Sequence, residues 1–192
     1  GRDHYGEKKL SDKDTKLIGY LAKPSHWTPF AHCMVTLRIK MPFFIYMQWE
    51  KHKIACGRSD DFVINMISRR YVSYEPEYWV TSEWRGKPVN AKQGSSDEII
   101  ADEQHEENMA NLRELSLKTY NHALSVGICP EQAREALILD GFTEWYETAS
   151  LAAYARVVNL RASYDAQSEV SDYANRVSEI MAELFPVSCT AL

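Results

Sequence analysis

Apolar and polar positions along the 192-residue chain change period several times, and each change marks an element. Leu17, Ile18 and Leu21 share one face of a helix that Ser11 opens as N-cap, with Asp14 three residues on to complete a capping box. Lys23-Pro24 stops it. From Cys33 to Met41 the pattern alternates, with Val35, Leu37, Ile39 and Met41 against Thr36, Arg38 and Lys40, which predicts a half-buried strand. Pro42 suits the first turn of a helix running to Lys53, whose last turns gather Gln48, Trp49, Glu50, Lys51, His52 and Lys53. Gly57-Arg58-Ser59-Asp60-Asp61 reads as a solvated loop, Phe62 to Val72 as an extended stretch, and Pro76 to Ser95 as mostly irregular.

A long helix is predicted from Ser95 to Val126, because acids crowd its first turns and Leu112, Leu115, Tyr120 and Leu124 recur at helical spacings. Gly127 is its stop. Pro130 to Leu139 predicts a shorter helix, Asp140-Gly141 a turn, and Thr143 to Phe185 a largely helical remainder with a short extended start. Many helices with one or two early strands indicate a single α+β domain over residues 1–192, a small mixed or antiparallel sheet flanked by long helices. A sheet this small needs helices or another subunit to cover it, so oligomerisation is expected.

Composition narrows the partners. The chain is 45% hydrophobic and 11% aromatic, enough for a core and against intrinsic disorder. With 22 Lys and Arg against 27 Asp and Glu the net charge is −5, and no basic block occurs, so neither a nucleic-acid backbone nor a membrane is an expected partner. Small anions need only a local cluster. The longest apolar run, Met41 to Met47, falls far short of the roughly 20 residues that span a bilayer. Gly1 to Gly6 has no apolar core of a secretory signal, and Cys33, Cys56, Cys129 and Cys189 are scattered without metal-type spacing. Free thiols, a cytoplasmic location and no metal are expected. His52 and Cys56 stand four apart, with no second pair to complete a metal site.

Chemistry concentrates in Gln48 to Lys53, in Ser68 to Tyr71, and in Arg134 with Arg161. Arg161, between Val157-Val158 and Ala162, is costly in a core unless an anion pairs with it, and phosphate suits a guanidinium fork. Plainer readings stand beside each. Ser68-Arg69-Arg70 could form an exposed strand edge, His52 could be structural, Arg134 could pair with Glu131 or Glu135 on the surface, and Arg161 with Asp165.

In order along the chain, these residues resemble the flavin-dependent thymidylate synthases. Lys51-His52-Lys53 stands at the family's RHR triplet, and Asn65-Met66-Ile67-Ser68-Arg69-Arg70-Tyr71 at its NExSxRY motif. His26-Trp27-Thr28-Pro29-Phe30-Ala31-His32 is similar to its HxTPFxH segment, and Arg38 to Pro42 to the strand before the triplet. Glu75-Pro76-Glu77-Tyr78-Trp79, Trp84-Arg85, Lys92-Gln93-Gly94-Ser95, Asn159-Leu160-Arg161-Ala162 and Ala166-Gln167-Ser168-Glu169-Val170 follow in the expected order. The resemblance covers roughly Leu10 to Pro186, and several co-linear motifs weigh more than one.

The resemblance implies a homotetramer with active sites built across subunits, binding FAD, dUMP and methylenetetrahydrofolate. NADPH reduces the flavin, the folate supplies a methylene, and the reduced flavin supplies a hydride, giving dTMP without a cysteine nucleophile. Arg161 corresponds to the arginine that stabilises negative charge at uracil N3 and O2, and Ser68, Arg70 and Arg134 to the phosphate-holding groups. Gln48, Lys51 and Arg69 are further dUMP-side positions, and His26, Thr28, Lys51, His52, Lys53 and Met66 are flavin-side positions. Ser150, Ala152 and Arg156 stand where the family has Asn, Arg and Asn for the flavin.

Departures gather on the flavin side. Lysines replace both arginines of the triplet, Met66 replaces a glutamate, eleven residues separate Lys53 from Asn65, and the family's first strand is expected upstream of Gly1. Three functions are compatible with that asymmetry: thymidylate synthesis through altered flavin contacts, hydroxymethylation of dUMP on the same scaffold, and nucleotide binding without turnover. Met66→Glu is expected to tighten nucleotide or flavin binding.

Overall fold

The computed structural model describes residues 10–54, 62–72, 74–89, 94–163 and 166–192. Helix α1 (Asp12–Ala22) begins as its sequence requires: the Asp14 amide donates to Ser11 Oγ at 3.3 Å, and the Ser11 amide to Asp14 Oδ2 at 2.9 Å. A 3₁₀ helix, Thr28–His32, leads into strand β1 (Met34–Pro42). Pro42 is the N-cap of α2 (Phe43–Trp49), and a 3₁₀ helix, Glu50–Ile54, follows. The polar residues after Trp49 therefore sit on a tighter turn than the predicted single helix. Strand β2 (Phe62–Met66) is shorter than the extended stretch the sequence suggested, because Arg69 to Tyr71 turn. Cys56 and the Gly57–Asp61 loop lie outside the described residues.

Helix α3 (Glu103–Ser125) starts later than predicted, with Asp102 as N-cap accepting from the His105 amide at 3.0 Å. The residues before it are committed elsewhere. Gly86 N–H donates to Glu98 O at 2.7 Å, Ser96 N–H to Gly86 O at 2.9 Å and Ile100 N–H to Trp84 O at 2.7 Å, an antiparallel pairing that a helix from Ser95 would forfeit. Gly127, at φ +86°, occupies the left-handed position that ends α3. Next, α4 (Pro130–Ala133) passes into a short 3₁₀ turn at Arg134–Ala136, so the predicted ten-residue helix is cut short.

Strand β3 (Phe142–Ser150) fills out the short extended start expected at Thr143 into a nine-residue strand, and the helix begins only after it. It is the centre of a three-stranded antiparallel sheet, order β1-β3-β2, pairing from Met34↔Ser150 to Pro42↔Phe142 and from Phe62↔Ala149 to Met66↔Trp145. Its inward positions Thr143, Trp145, Glu147 and Ala149 are buried, but two are polar, so no apolar alternation announces it. Glu147, 1% exposed, is accommodated by indole donors: Trp49 Nε1 lies 3.2 Å from both carboxylate oxygens and Trp145 Nε1 3.0 Å from Oε2.

Helices α5 (Leu151–Arg161), α6 (Ser168–Leu184) and α7 (Pro186–Ala191) complete the chain. The core joins Ile39, Met41, Ile45, Trp49, Trp145, Tyr154, Val157, Val170 and Met181 from the inward sheet face, α2, α5 and α6. The opposite sheet face carries Thr36, Arg38, Lys40, Tyr146 and Thr148, as the alternation in β1 requires. The result is an α+β arrangement with a small antiparallel sheet. Among the described residues, no helix is long and apolar enough to cross a membrane, and no cluster of His, Cys, Asp and Glu could hold a metal ion.

Candidate active site

Strand β3 passes into α5 without a loop, because Ser150 caps the helix by accepting from the Ala153 amide at 3.2 Å. That junction fixes where the far end of α5 lies, and Arg161 is its last residue. Its Nε donates to Nε2 of His52 at 2.6 Å, joining α5 to the 3₁₀ turn after α2. An imidazole nitrogen that accepts from a guanidinium carries no proton, so the ring proton sits on Nδ1. His52 is 7% exposed, and burial together with the charges of Arg161 and Arg156 lowers its pKa to about 4. Among the described residues only Nε of Arg161 is bonded to protein, which leaves its terminal nitrogens for a ligand. Asp165, the alternative partner in the sequence, lies outside the described residues.

Arg161 lines a cleft of about 960 Å³ with Gln48 and Lys51 of the α2 region, Phe44, Met47 and Leu112 supplying apolar wall. Other cations in the cleft are matched. Arg113 Nε meets Asp140 Oδ2 at 2.6 Å, and Arg85 grips both Glu169 oxygens at 2.6 and 2.7 Å while its Nε reaches Ser95 Oγ at 2.9 Å. Gln48 donates through Nε2 to Gln167 Oε1, tying α2 to the start of α6.

A second cavity, of about 750 Å³, lies across the Leu137–Ile138–Leu139 wall that both share, and it contains Met66, Ser68, Arg69 and Arg134. Ser68 Oγ accepts from Arg70 Nε at 3.0 Å, and Arg70 Nη1 meets Glu131 Oε1 at 3.1 Å. Arg134 Nε donates to the Glu131 carbonyl at 3.3 Å. Arg70 and Arg134 thus converge on Glu131 beside the Ser68 hydroxyl. Arg69 turns away, donating to Tyr74 O at 2.8 Å and stacking on the Tyr74 ring at 4.7 Å. These residues follow the end of β2 instead of forming a strand edge.

The remaining flavin-side positions are dispersed. Ala152 and Arg156 line a groove of about 440 Å³ with Trp27 and Phe30, while His26 and Thr28 stand exposed on the same 26–32 turn. Ser150 is buried, with its hydroxyl spent on capping α5. Met66 packs against the core opposite Trp145. Lys51 is exposed, 3.4 Å from Glu50, and the Lys53 side chain is not among those described.

A model of the family described as thymidylate synthase complementing protein matches residues 2–187. A flavin-dependent thymidylate synthase of Thermosipho melanesiensis is 33% identical over 180 residues, covering 93% of this chain and 76% of that protein. The chain belongs to the flavin-dependent thymidylate synthase family. A second such synthase, from Treponema denticola, is 31% identical over 199 residues, covering 99% of this chain and 71% of its own length. Among solved structures, the UMP/dUMP methylase PolB of Streptomyces cacaoi, bound with 5-Br dUMP, superposes with a TM-score of 0.76 at 25% identity, over 96% of this chain and 81% of that one.

Against that family background, sequence reasoning assigned no role to four side chains that shape the cleft: Arg85, Arg113, Asp140 and Gln167. Arg85 and Gln167 stood inside quoted motifs, and that was their available signal. Arg113 and Asp140 had none, since their ion pair joins positions 27 residues apart.

Proposed function

We propose that the chain is a flavin-dependent thymidylate synthase that converts dUMP to dTMP, with FAD as its flavin and NADPH and methylenetetrahydrofolate as co-substrates, working as a cytoplasmic homotetramer. The observation that carries this is Arg161, a permanent cation held at Nε by a neutral imidazole, with its terminal nitrogens unbonded among the described residues, in a cleft beside Gln48 and Lys51. A fixed cation beside uracil N3 and O2 lowers the cost of negative charge on the base. Ser68, Arg70 and Arg134 suit the phosphate. Glu131 holds the two arginines together through solvent-exposed contacts that a dianion can replace with stronger, bidentate ones. Arg69 adds charge at the cavity wall.

For the flavin nucleotide, the groove of Trp27, Phe30 and Arg156 offers an aromatic wall and a guanidinium, the chemistry that a ring system and a pyrophosphate need. His26, Thr28, Lys51, His52, Lys53, Met66, Ser150 and Ala152 complete the flavin side in this reading. When bound, the flavin supplies the hydride that completes the methyl group. Candidate residues spread over three cavities of one chain fit a site completed by neighbouring copies, which is the argument for the homotetramer.

Purified protein is expected to show flavin absorbance and to form dTMP from dUMP with NADPH and methylenetetrahydrofolate. Arg161→Ala should abolish turnover, and retained turnover would overturn the role given to Arg161. A second reading, nucleotide binding without turnover, draws on Met66 and Ala152, where charged flavin contacts of the family are missing. Calorimetric dUMP binding without bound flavin would favour it. Mass spectrometry of the product distinguishes a methyl from a hydroxymethyl group.

A further inference from the structure

We infer that His52 is the positioning residue for Arg161: its Nε2 accepts the Arg161 Nε–H at 2.6 Å and thereby aims the two terminal guanidinium nitrogens into the cleft. Arg161 ends α5, where the helix no longer constrains a long side chain, and an arginine with free χ angles loses rotamer entropy on meeting a ligand. His52 removes that freedom beforehand. It is suited to the task because it is buried on the 3₁₀ turn, and because an acceptor without charge fixes the guanidinium while leaving its full positive charge for the ligand. A carboxylate in the same place would neutralise Arg161. The charges of two guanidiniums on α5, Arg161 and Arg156, oppose protonation of the ring. The inference deepens the reading of Arg161 as the uracil-facing cation and rests on it for its catalytic consequence. The contact itself does not.

The test uses the full flavin-loaded chain as wild type, His52→Leu, His52→Gln and Arg161→Lys, with each His52 change also placed in the Arg161→Lys background. Loss of the acceptor in His52→Leu should lower kcat roughly 10²-fold, the size expected when a catalytic group is misplaced by about 1 Å. KM for dUMP should move less, with kcat expressed per bound flavin because His52 also stands on the flavin side of the proposed site. His52→Gln, whose amide oxygen also accepts, should recover most of the rate. Lysine has a methylene where arginine has Nε–H, so in the Arg161→Lys background His52→Leu should change the residual kcat by no more than about 2-fold. Equal losses in both backgrounds, or flavin loss as the sole defect, would overturn the proposal.

A further readout needs neither turnover nor a stable leucine variant. In the ligand-free protein the Arg161 Nε–H should exchange slowly with water, and stay slow in His52→Gln, whereas that of the exposed Arg156 exchanges fast. Fast exchange at Arg161 in the wild type would overturn the contact. Slow exchange in a protein that forms no dTMP would support the contact while overturning the functional reading.

Discussion

A buried imidazole beside two guanidiniums has a consequence for stability as well as for the site. In the unfolded chain His52 titrates near 6.5, and in the native protein near 4. Between those values the unfolded state binds the extra proton, so acid favours unfolding: stability falls as pH drops from about 6.5 to 4 and is unaffected by this group above that window. At about 1.4 kcal/mol per unit, reduced for partial water access, the loss is on the order of 2 kcal/mol. Urea unfolding at pH 7.5 and pH 5, which spans a little over half of that loss, should show the wild type losing about 1 kcal/mol more than His52→Gln, and parallel losses would contradict the assignment. Met66 makes a different point. Its motif suggested a missing carboxylate, yet the side chain packs on the core opposite Trp145. Met66→Glu should therefore lower stability by about 1–3 kcal/mol through a desolvated carboxylate, even where it strengthens ligand binding. Thermal melts and dUMP calorimetry on the same variant read the two effects separately, and an unchanged melting temperature would show that the site is wetter than its packing implies.

Among the elements, the Arg85 clamp is a contact that ties distant segments together outside the sheet. Arg85 lies on the Trp84–Gly86 segment that pairs with Ser96 to Ile100, and its bidentate grip on Glu169 fastens that pair to the first turn of α6. The guanidinium also pulls the Glu169 carboxyl below the usual range, against the burial that raises it. Arg85→Ala leaves a half-buried carboxylate unpaired and should cost about 2–3 kcal/mol, with faster proteolysis near residues 84–100, whereas Glu169→Gln should cost less because a hydrogen bond survives. Urea midpoints for the two variants decide it, and equal midpoints would deny the clamp. This contact also explains what the sequence could and could not convey. Short-range signals held up: the Ser11–Asp14 box, the alternation of β1 and the left-handed Gly127 are all local. Elements whose reason is long-range did not. Strand β3 hides its period because Thr143 and Glu147 face inward, made tolerable for Glu147 by the indole of Trp49 from 98 residues away. The acids near Ser95 imitate the first turn of α3, yet they belong to a strand-like pairing and the helix starts at Glu103. Likewise the motif residues of the site were legible in order, while the His52–Arg161 contact, 109 positions apart, was not.

At the scale of the whole molecule, α3 is a long element of which little is buried. It runs 23 residues, yet only Ser116 and Tyr120 on it are buried, and Leu112, Leu115 and Leu124 stand exposed, Leu115 at 61%. A helix about 34 Å long cannot be held by two buried side chains, so its apolar positions need a partner surface. In the proposed reading that partner is a second copy of the chain, which would also answer the division of the candidate site among three cavities, since Leu112 of α3 lines the same cleft as Arg161. The expected species in solution is four chains of 22.1 kDa, measured by light scattering at micromolar concentration. Leu115→Asp places a charge at the middle of that face without touching a candidate site residue. If α3 packs against another copy, this variant should dissociate the assembly and lose dTMP formation together, because a monomer retains Arg161 but not a completed site. Far-ultraviolet circular dichroism should keep its helical signal, which separates dissociation from unfolding. A Leu115→Asp protein that remains tetrameric, or one that is monomeric and fully active, would break the link drawn between the exposed helix and the shared active site.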